Sequence, residues 1–322
     1  MATLEMVAGR AQARRRTSAR MRRRTITFYL FISPWLLGFI FLSVLPLLLG
    51  LLTSLTNYDG LNLSSLKFVG LDNYAKMLSD PDFGFSMGRT VMWAALNLPI
   101  WICLSFLLAL LLNQDVRGRG LFRTLYYMPY VIPAVAMVWI WKIFLDKNYG
   151  LLNAVLSVFR PGTAIPWLSE HALVGLTAIA VFSGLGWAMV IFLAGLQDIP
   201  DELVEAARID GANGWQVFRH VTLPLMTPVI FFVLLNGLIS SFQQFIFPLL
   251  LGTGTSQLSY PPRDAYFYML HTYRQLFVYQ RFGYGIALLW VLFVIIMAFT
   301  LLLFRTERYW VHTEGGGQEE LR

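Results

Sequence analysis

The 322-residue chain is 57% apolar and only 13% charged, which excludes an ordinary soluble protein. Its net charge of +7 lies mostly in an arginine-rich head, read as a topology signal that also meets anionic headgroups and not as a nucleic-acid-binding arm. The single cysteine, Cys103, excludes an internal disulfide or a thiolate metal cluster and reads as a core residue.

Six long apolar segments run from Phe28 to Ser54, Gly88 to Leu112, Thr124 to Leu145, Ala172 to Gly195, Thr227 to Leu251 and Gly283 to Phe304. Each exceeds the roughly 20 residues that carry a helix across about 30 Å of hydrocarbon, so the chain reads as an all-α membrane protein with six transmembrane helices. The first segment is too long, and lacks the small-residue cleavage site, of a removed signal peptide. Pro34 and Pro46 predict two kinks in it. The third segment passes through Pro129 and Pro133, and behind it Leu151, Leu152, Val155, Leu156 and Phe159 share one helical face, which predicts an interfacial helix on the outer surface.

Sixteen basic residues lie in the head, in the connections that follow the second and fourth segments, and in the tail; seven lie in the opposite loops. The excess marks the cytoplasmic side, so both termini are expected there.

The connection between the fourth and fifth segments is ordered by its own residues. Leu203, Ala206 and Ala207 fall at i, i+3 and i+4, on one face of a short helix that Pro200 or Asp201 can start and Gly211 can stop. Asn213 followed by Gln216 predicts an N-cap with its capping-box partner, opening a second short helix through Trp215 and Phe218. Leu223-Pro224 and Pro228 are then expected to set the angle at which the fifth segment enters the membrane.

The order Glu205-Ala206-Ala207, three residues, Gly211, nine residues, Val221, one residue, Leu223-Pro224 resembles the coupling motif of the membrane subunits of bacterial ABC importers. An ordinary helix-turn-helix accounts for the glycine and prolines but not for Glu205 with two alanines. Pro34-Trp35-Leu36-Leu37-Gly38, Phe68-Val69-Gly70-Leu71-Asp72-Asn73-Tyr74, Arg123-Thr124-Leu125-Tyr126-Tyr127-Met128-Pro129 and Arg281-Phe282-Gly283-Tyr284-Gly285 resemble the carbohydrate-uptake branch of that family. The likeness is to the first permease subunit of maltose, lactose and glycerol-phosphate systems. Where the family has a Gly-Gly-Pro turn after the fifth span, this chain reads Gly252-Thr253-Gly254-Thr255-Ser256, so the outer loop behind it is expected to be built differently.

The resemblance implies the type I ABC importer permease fold, organised as a cytoplasmic tail (1–27), a first transmembrane helix (28–54), an extracytoplasmic loop (55–87), a transmembrane core (88–304) holding the coupling loop (196–226), and a second tail (305–322). It implies ATPase coupling through Glu205, Ala206, Ala207, Asp210, Gly211, Leu223 and Pro224. The implied partners are a second permease subunit that is a different chain, two ATPase subunits that use ATP and Mg, an extracytoplasmic solute-binding protein, and membrane lipid. The implied location is the cytoplasmic (inner) cell membrane, spanned several times.

The apolar segments themselves contain no Asp or Glu, and the four histidines lie at or outside their ends. No catalytic constellation, metal-ligand set or coupling-ion carboxylate is present. No phosphate-binding loop exists either, so ATP hydrolysis has to come from a partner chain. Asn236, Ser240, Ser241, Gln243 and Gln244 form a polar band in the fifth segment, either lining a sugar path or acting as polar glue between packed helices. Trp139, Trp141 and Trp187 are either sugar-stacking rings or members of an aromatic belt and core. A glycerol-phosphate or polyol permease and an ion-coupled secondary sugar transporter are the alternatives. A shortage of Arg or Lys facing the spans disfavours a phosphorylated solute.

Overall fold

A computed structural model of the chain describes residues 2–311 except 63, 65, 116 and 253–260, with side chains described from residue 21 on. The Gly252-Thr253-Gly254-Thr255-Ser256 departure lies outside these residues after its first glycine. Among the described residues the architecture is helical, with a single isolated bridge between Thr56 and Phe68.

Five helices are long and apolar enough to cross a membrane: Met21–Ser54, Pro81–Asn113, Ala172–Gln197, Gly214–Phe242 and Phe282–Trp310. They are the first, second, fourth, fifth and sixth spans. The third is not the continuous helix expected from Thr124 to Leu145. It is a pair, Arg119–Val131 and Ala134–Phe144, bent by 100°. Ile132 and Pro133 are both extended at the elbow, because the proline ring pushes the residue before it out of the helical region.

The first span is not broken twice. One helix, Ala2–Phe39, carries the arginine-rich head into the apolar stretch and runs through Pro34. A wide turn, Ile40–Val44, then precedes Leu45-Pro46, with the Leu45 N–H donating to the Ile40 carbonyl five residues back. Proline has no N–H for the carbonyl four residues earlier, and the wide turn absorbs that mismatch. The same device recurs at Phe218–Thr222, where Leu223 N–H donates to the Phe218 carbonyl ahead of Pro224. Leu223-Pro224 therefore sits inside one continuous helix from Gly214, not at a joint between a loop helix and a span.

The fifth span also ends earlier than Leu251. It stops at Phe242, unwinds through Gln243 and Gln244, and resumes as Ile246–Leu251. Pro248 cannot donate to the Gln244 carbonyl, so the ladder cannot run unbroken there.

The second and fourth spans form the centre. Trp101, Phe106, Met189, Phe192, Met226 and Val233 make the main core against the fifth span. The first span buries none of its apolar stretch, and Cys103 is exposed on the second span instead of lying in the core. The short helix Leu151–Phe159 forms as expected, with Leu151, Val155 and Phe159 exposed. It is anchored by buried Asn153, whose amide donates to the Asp146, Lys147 and Ile165 carbonyls and accepts from the Trp167 indole.

Candidate functional site

The loop after the fourth span begins with a helix, Asp201–Ile209, that has Asp201 and Glu202 in its first turn and Arg208 in its last. Those signs match the helix dipole. Gly211, at φ +85°, takes the left-handed conformation that a side chain resists. Around it, Ala212 N–H donates to the Ala207 carbonyl and Gly211 N–H to the Arg208 carbonyl, each at 3.0 Å, the paired closure of a glycine-capped helix. Asn213 and Gln216 complete a reciprocal capping box at 2.7 and 3.0 Å, so the chain turns straight into the Gly214–Phe242 helix.

None of the nine residues of Asp201–Ile209 is buried. Leu203, Ile209 and Trp215 are exposed although apolar, at 46%, 87% and 66%. Glu205 and Ala206 are also exposed, Ala207 half-buried, and Glu205 makes no ion pair among the described residues. Asp210 and Gly211 border a groove of about 320 Å³ against Gln216 and His220. Leu223 packs on the main core and Pro224 is half-buried, so these two hold the loop from below. The loop is capped at both turns and presents exposed apolar side chains beside acidic ones.

A second feature lies within the spans. A cavity of about 650 Å³ opens between the second, fourth and fifth spans and the elbow of the third. Asn236, Ser240, Ser241, Gln244 and Trp187 line it; Gln243 and Trp139 do not. Gln243 caps the broken helix and is exposed, because the unwinding at Phe242 turns it away from Gln244. Trp139 is 57% exposed, with the Lys142 ammonium 4.8 Å from its ring centre. The elbow at Pro133 aims that face of the third span outward.

Trp93, Asn97, Trp101, Tyr130 and Ser183 line the cavity too and were not expected there. A usable signal was present: Trp93, Asn97 and Trp101 recur every four residues, and Asn97 is the one amide between Gly88 and Leu112. The Trp101 ring stacks on Trp187 with centres 6.0 Å apart and planes 11° from parallel. It fits because Gly237 carries no side chain: a Cβ there would fall 2.6 Å from Trp101 Cζ3. Among the described residues no Asp, Glu, Lys, Arg or His lines the cavity. Among the described residues no three His, Cys, Asp or Glu side chains stand together as a metal would require.

Residues 101–309 match the family described as binding-protein-dependent transport system inner membrane component. The chain is 35% identical over 301 residues to the probable ABC transporter permease protein YesP of Bacillus subtilis (strain 168), covering 92% of this chain and 95% of that one. It is 31% identical over 280 residues to the probable starch degradation products transport system permease protein AmyD of Thermoanaerobacterium thermosulfurigenes, covering 86% and 92%. In fold it is similar to a chain of the bacterial alginate ABC transporter solved in complex with an alginate pentasaccharide-bound periplasmic protein. That match has a TM-score of 0.77 and 21% identity, covering 90% of this chain and 96% of that one.

Proposed function

Since the chain belongs to the family of binding-protein-dependent transport system inner membrane components, the multi-pass permease subunits of ABC importers, we propose that it passes a carbohydrate across the cytoplasmic membrane. A separate ATPase, using ATP and Mg, drives it through the Glu205 helix. The observation that carries this reading is mechanical. The glycine-capped helix Asp201–Ile209 is fused by a capping box to one continuous helix, Gly214–Phe242, and the far part of that helix supplies Asn236 and Ser240 to the cavity wall.

From Gly214 to Asn236 the helix rises roughly 33 Å at 1.5 Å per residue. A displacement imposed at the loop therefore reaches the cavity through a helix without a flexible joint, the wide turn at Phe218–Thr222 included. Exposed Leu203 and Ala206 with half-buried Ala207 offer a close-packing face, and Glu205, without an ion pair among the described residues, offers a charge for a basic residue of the ATPase. Closure of two ATPase subunits would then switch the cavity between its two sides.

Amides and hydroxyls at Asn97, Ser183, Asn236, Ser240 and Gln244, with aromatic faces at Trp93, Tyr130 and Trp187, suit a solute with many hydroxyls and apolar ring faces. The same reading takes in a sister permease of different sequence, an extracytoplasmic binding protein that delivers the solute, and cytoplasmic termini. The uncharged lining of the cavity among the described residues gives no support to an ion-coupled mechanism or to a phosphorylated solute.

The test is affinity purification of the chain from its native membrane as wild type and as Glu205→Lys. Wild type is expected to bring down an ATPase and a sister permease, and the variant to lose the ATPase. Equal recovery of the ATPase with both would remove Glu205 from the coupling role.

A further inference from the structure

We propose that residues 263–273 form a strap over the outer end of the cavity and that His271 is its proton-operated catch, so that acid outside the cell releases the strap. This rests on the orientation given above, which puts the loops after the first, third and fifth spans outside, and it adds a regulator to the importer reading.

The strap consists of the short turn Arg263–Ala265 and the helix Tyr268–Tyr273. Ala265 and Phe267 are fully buried in an apolar cluster with Trp93, Val138 and Leu176, and the Trp93 and Phe267 ring centres stand 5.3 Å apart. Trp93 also lines the cavity, as do Ala180 and Phe247, which pack against the same cluster. The strap therefore covers the cavity at its Trp93 end. Polar contacts hold it to the second span: Asp264 pairs with Arg89, Arg263 Nη1 lies 3.4 Å from Asp82 Oδ1, and the Tyr268 N–H donates to Thr90 Oγ1 at 2.8 Å.

The catch is a titratable ring held away from water, at 1% exposure. Asp80, which caps the second span, accepts from the Tyr284 hydroxyl of the sixth span at 2.7 Å, and the same carboxylate oxygen stands 3.4 Å from His271 Nε2. One carboxylate thus joins the strap to two spans. On the other side of the ring, Nδ1 is 3.0 Å from the Tyr266 hydroxyl. Asp80 and Asp82 favour a proton on the ring, whereas burial and Arg274 oppose it, and burial is the largest of these effects. The closed strap consequently holds His271 below the ordinary imidazole pKa of 6.5.

Lifting the strap would expose the ring, and the lifted form would take up the proton that the closed form refuses. Acid therefore favours the lifted form. Linkage bounds the response: between about pH 7.5 and 5.5, a single imidazole with an ordinary pKa when exposed raises the ratio of lifted to closed forms by at most about tenfold.

The experiment uses cells carrying the complete transporter in a Cys103→Ser background and a membrane-impermeant maleimide. Ala265→Cys places a thiol under the closed strap, and Lys147→Cys places one on an exposed loop of the same side. The labelling rate at the first position is divided by that at the second at each pH, which removes the titration of the thiol itself. On lowering the external pH from about 7.5 to 5.5, this relative rate is expected to rise between about twofold and tenfold. His271→Gln, which keeps a hydrogen-bonding side chain but takes up no proton, should hold it level. Asp264→Asn, which weakens the pairing to Arg89 and leaves the ring in place, should raise labelling at both pH values and preserve their ratio.

A relative rate that stays level in the presence of His271 would overturn the proposal, and so would an equal rise in His271→Gln. Labelling of Lys147→Cys in inverted vesicles but not in cells would overturn the orientation instead, and the same comparison made in those vesicles would still decide whether His271 releases the strap.

Discussion

At the scale of single residues, the loop after the fourth span depends on two positions whose backbone leaves little choice. Gly211 is left-handed at φ +85°, and a β-branched residue there is strained by roughly 1–3 kcal/mol. Gly211→Val is therefore expected to lower the melting temperature of the purified transporter and to weaken ATPase capture, whereas Gly211→Asn should do neither to a comparable degree. Removing the Asn213 side chain with Asn213→Ala unmakes the capping box, for about 1 kcal/mol. On the other side of the protein, His271 is buried at 1% exposure, with the Tyr266 hydroxyl 3.0 Å from Nδ1 and an Asp80 carboxylate oxygen 3.4 Å from Nε2. Burial pushes its pKa below the ordinary 6.5, outweighing the carboxylates of Asp80 and Asp82 and aided by Arg274. The unfolded chain then takes up a proton below about pH 6.5 that the folded chain refuses, so stability is full above that value and falls as pH drops through it. Melting followed from about pH 7.5 to 5.5 should show this slope, and His271→Gln should flatten it.

At the scale of elements, prolines decide where helices bend, and their neighbours decide how. Pro46 and Pro224 sit two residues past wide turns and leave their helices continuous, while Pro133 stands at the 100° bend of the third span. The residues before the prolines differ in their acceptors: Leu45 and Leu223 donate to a carbonyl five residues back, whereas Ile132 donates to the Pro129 carbonyl three residues back, where the helix ends. Packing between the second and fifth spans depends on a missing side chain. In Gly237→Ala the new methyl would strike Leu98 and Trp101, so the fifth span must shift outward at a cost of about 1–3 kcal/mol. The expected result is a lower melting temperature, partly recovered when Trp101→Leu clears the ring. No recovery in the double variant would mean that this contact does not set the distance between the spans.

At the scale of the whole molecule, one continuous helix, Gly214–Phe242, connects an exposed loop to the cavity between the spans. The first span is largely exposed along its apolar stretch and meets the sixth span around Gly50, beside Ile286 and Trp290. Orientation is testable directly. In a Cys103→Ser background, Asp201→Cys is expected to react with a membrane-impermeant thiol reagent only in inverted vesicles, and Lys147→Cys only in intact cells. The opposite pattern would reverse the assignment of both termini.

Apolar run lengths and the Glu205 to Pro224 pattern made the membrane class, the helical architecture and the family legible, because each depends on residues close together in the chain. Helix caps belong with them: Gly211, Asn213 and Gln216 act within one turn of themselves, and their geometry was legible in advance. The elbow at Pro133, the early end of the fifth span at Phe242 and the exposure of Cys103 were not. Neither was the membership of the cavity wall, where Trp139 and Gln243 face away and Trp93, Asn97 and Trp101 face in. A helix turns its side chains through 100° per residue, so a bend or an unwound turn re-aims every residue beyond it. Which of several polar or aromatic residues meets a shared space is therefore decided by how separate helices pack, and only the tertiary structure brings Asn97, Trp187 and Asn236 to one cavity.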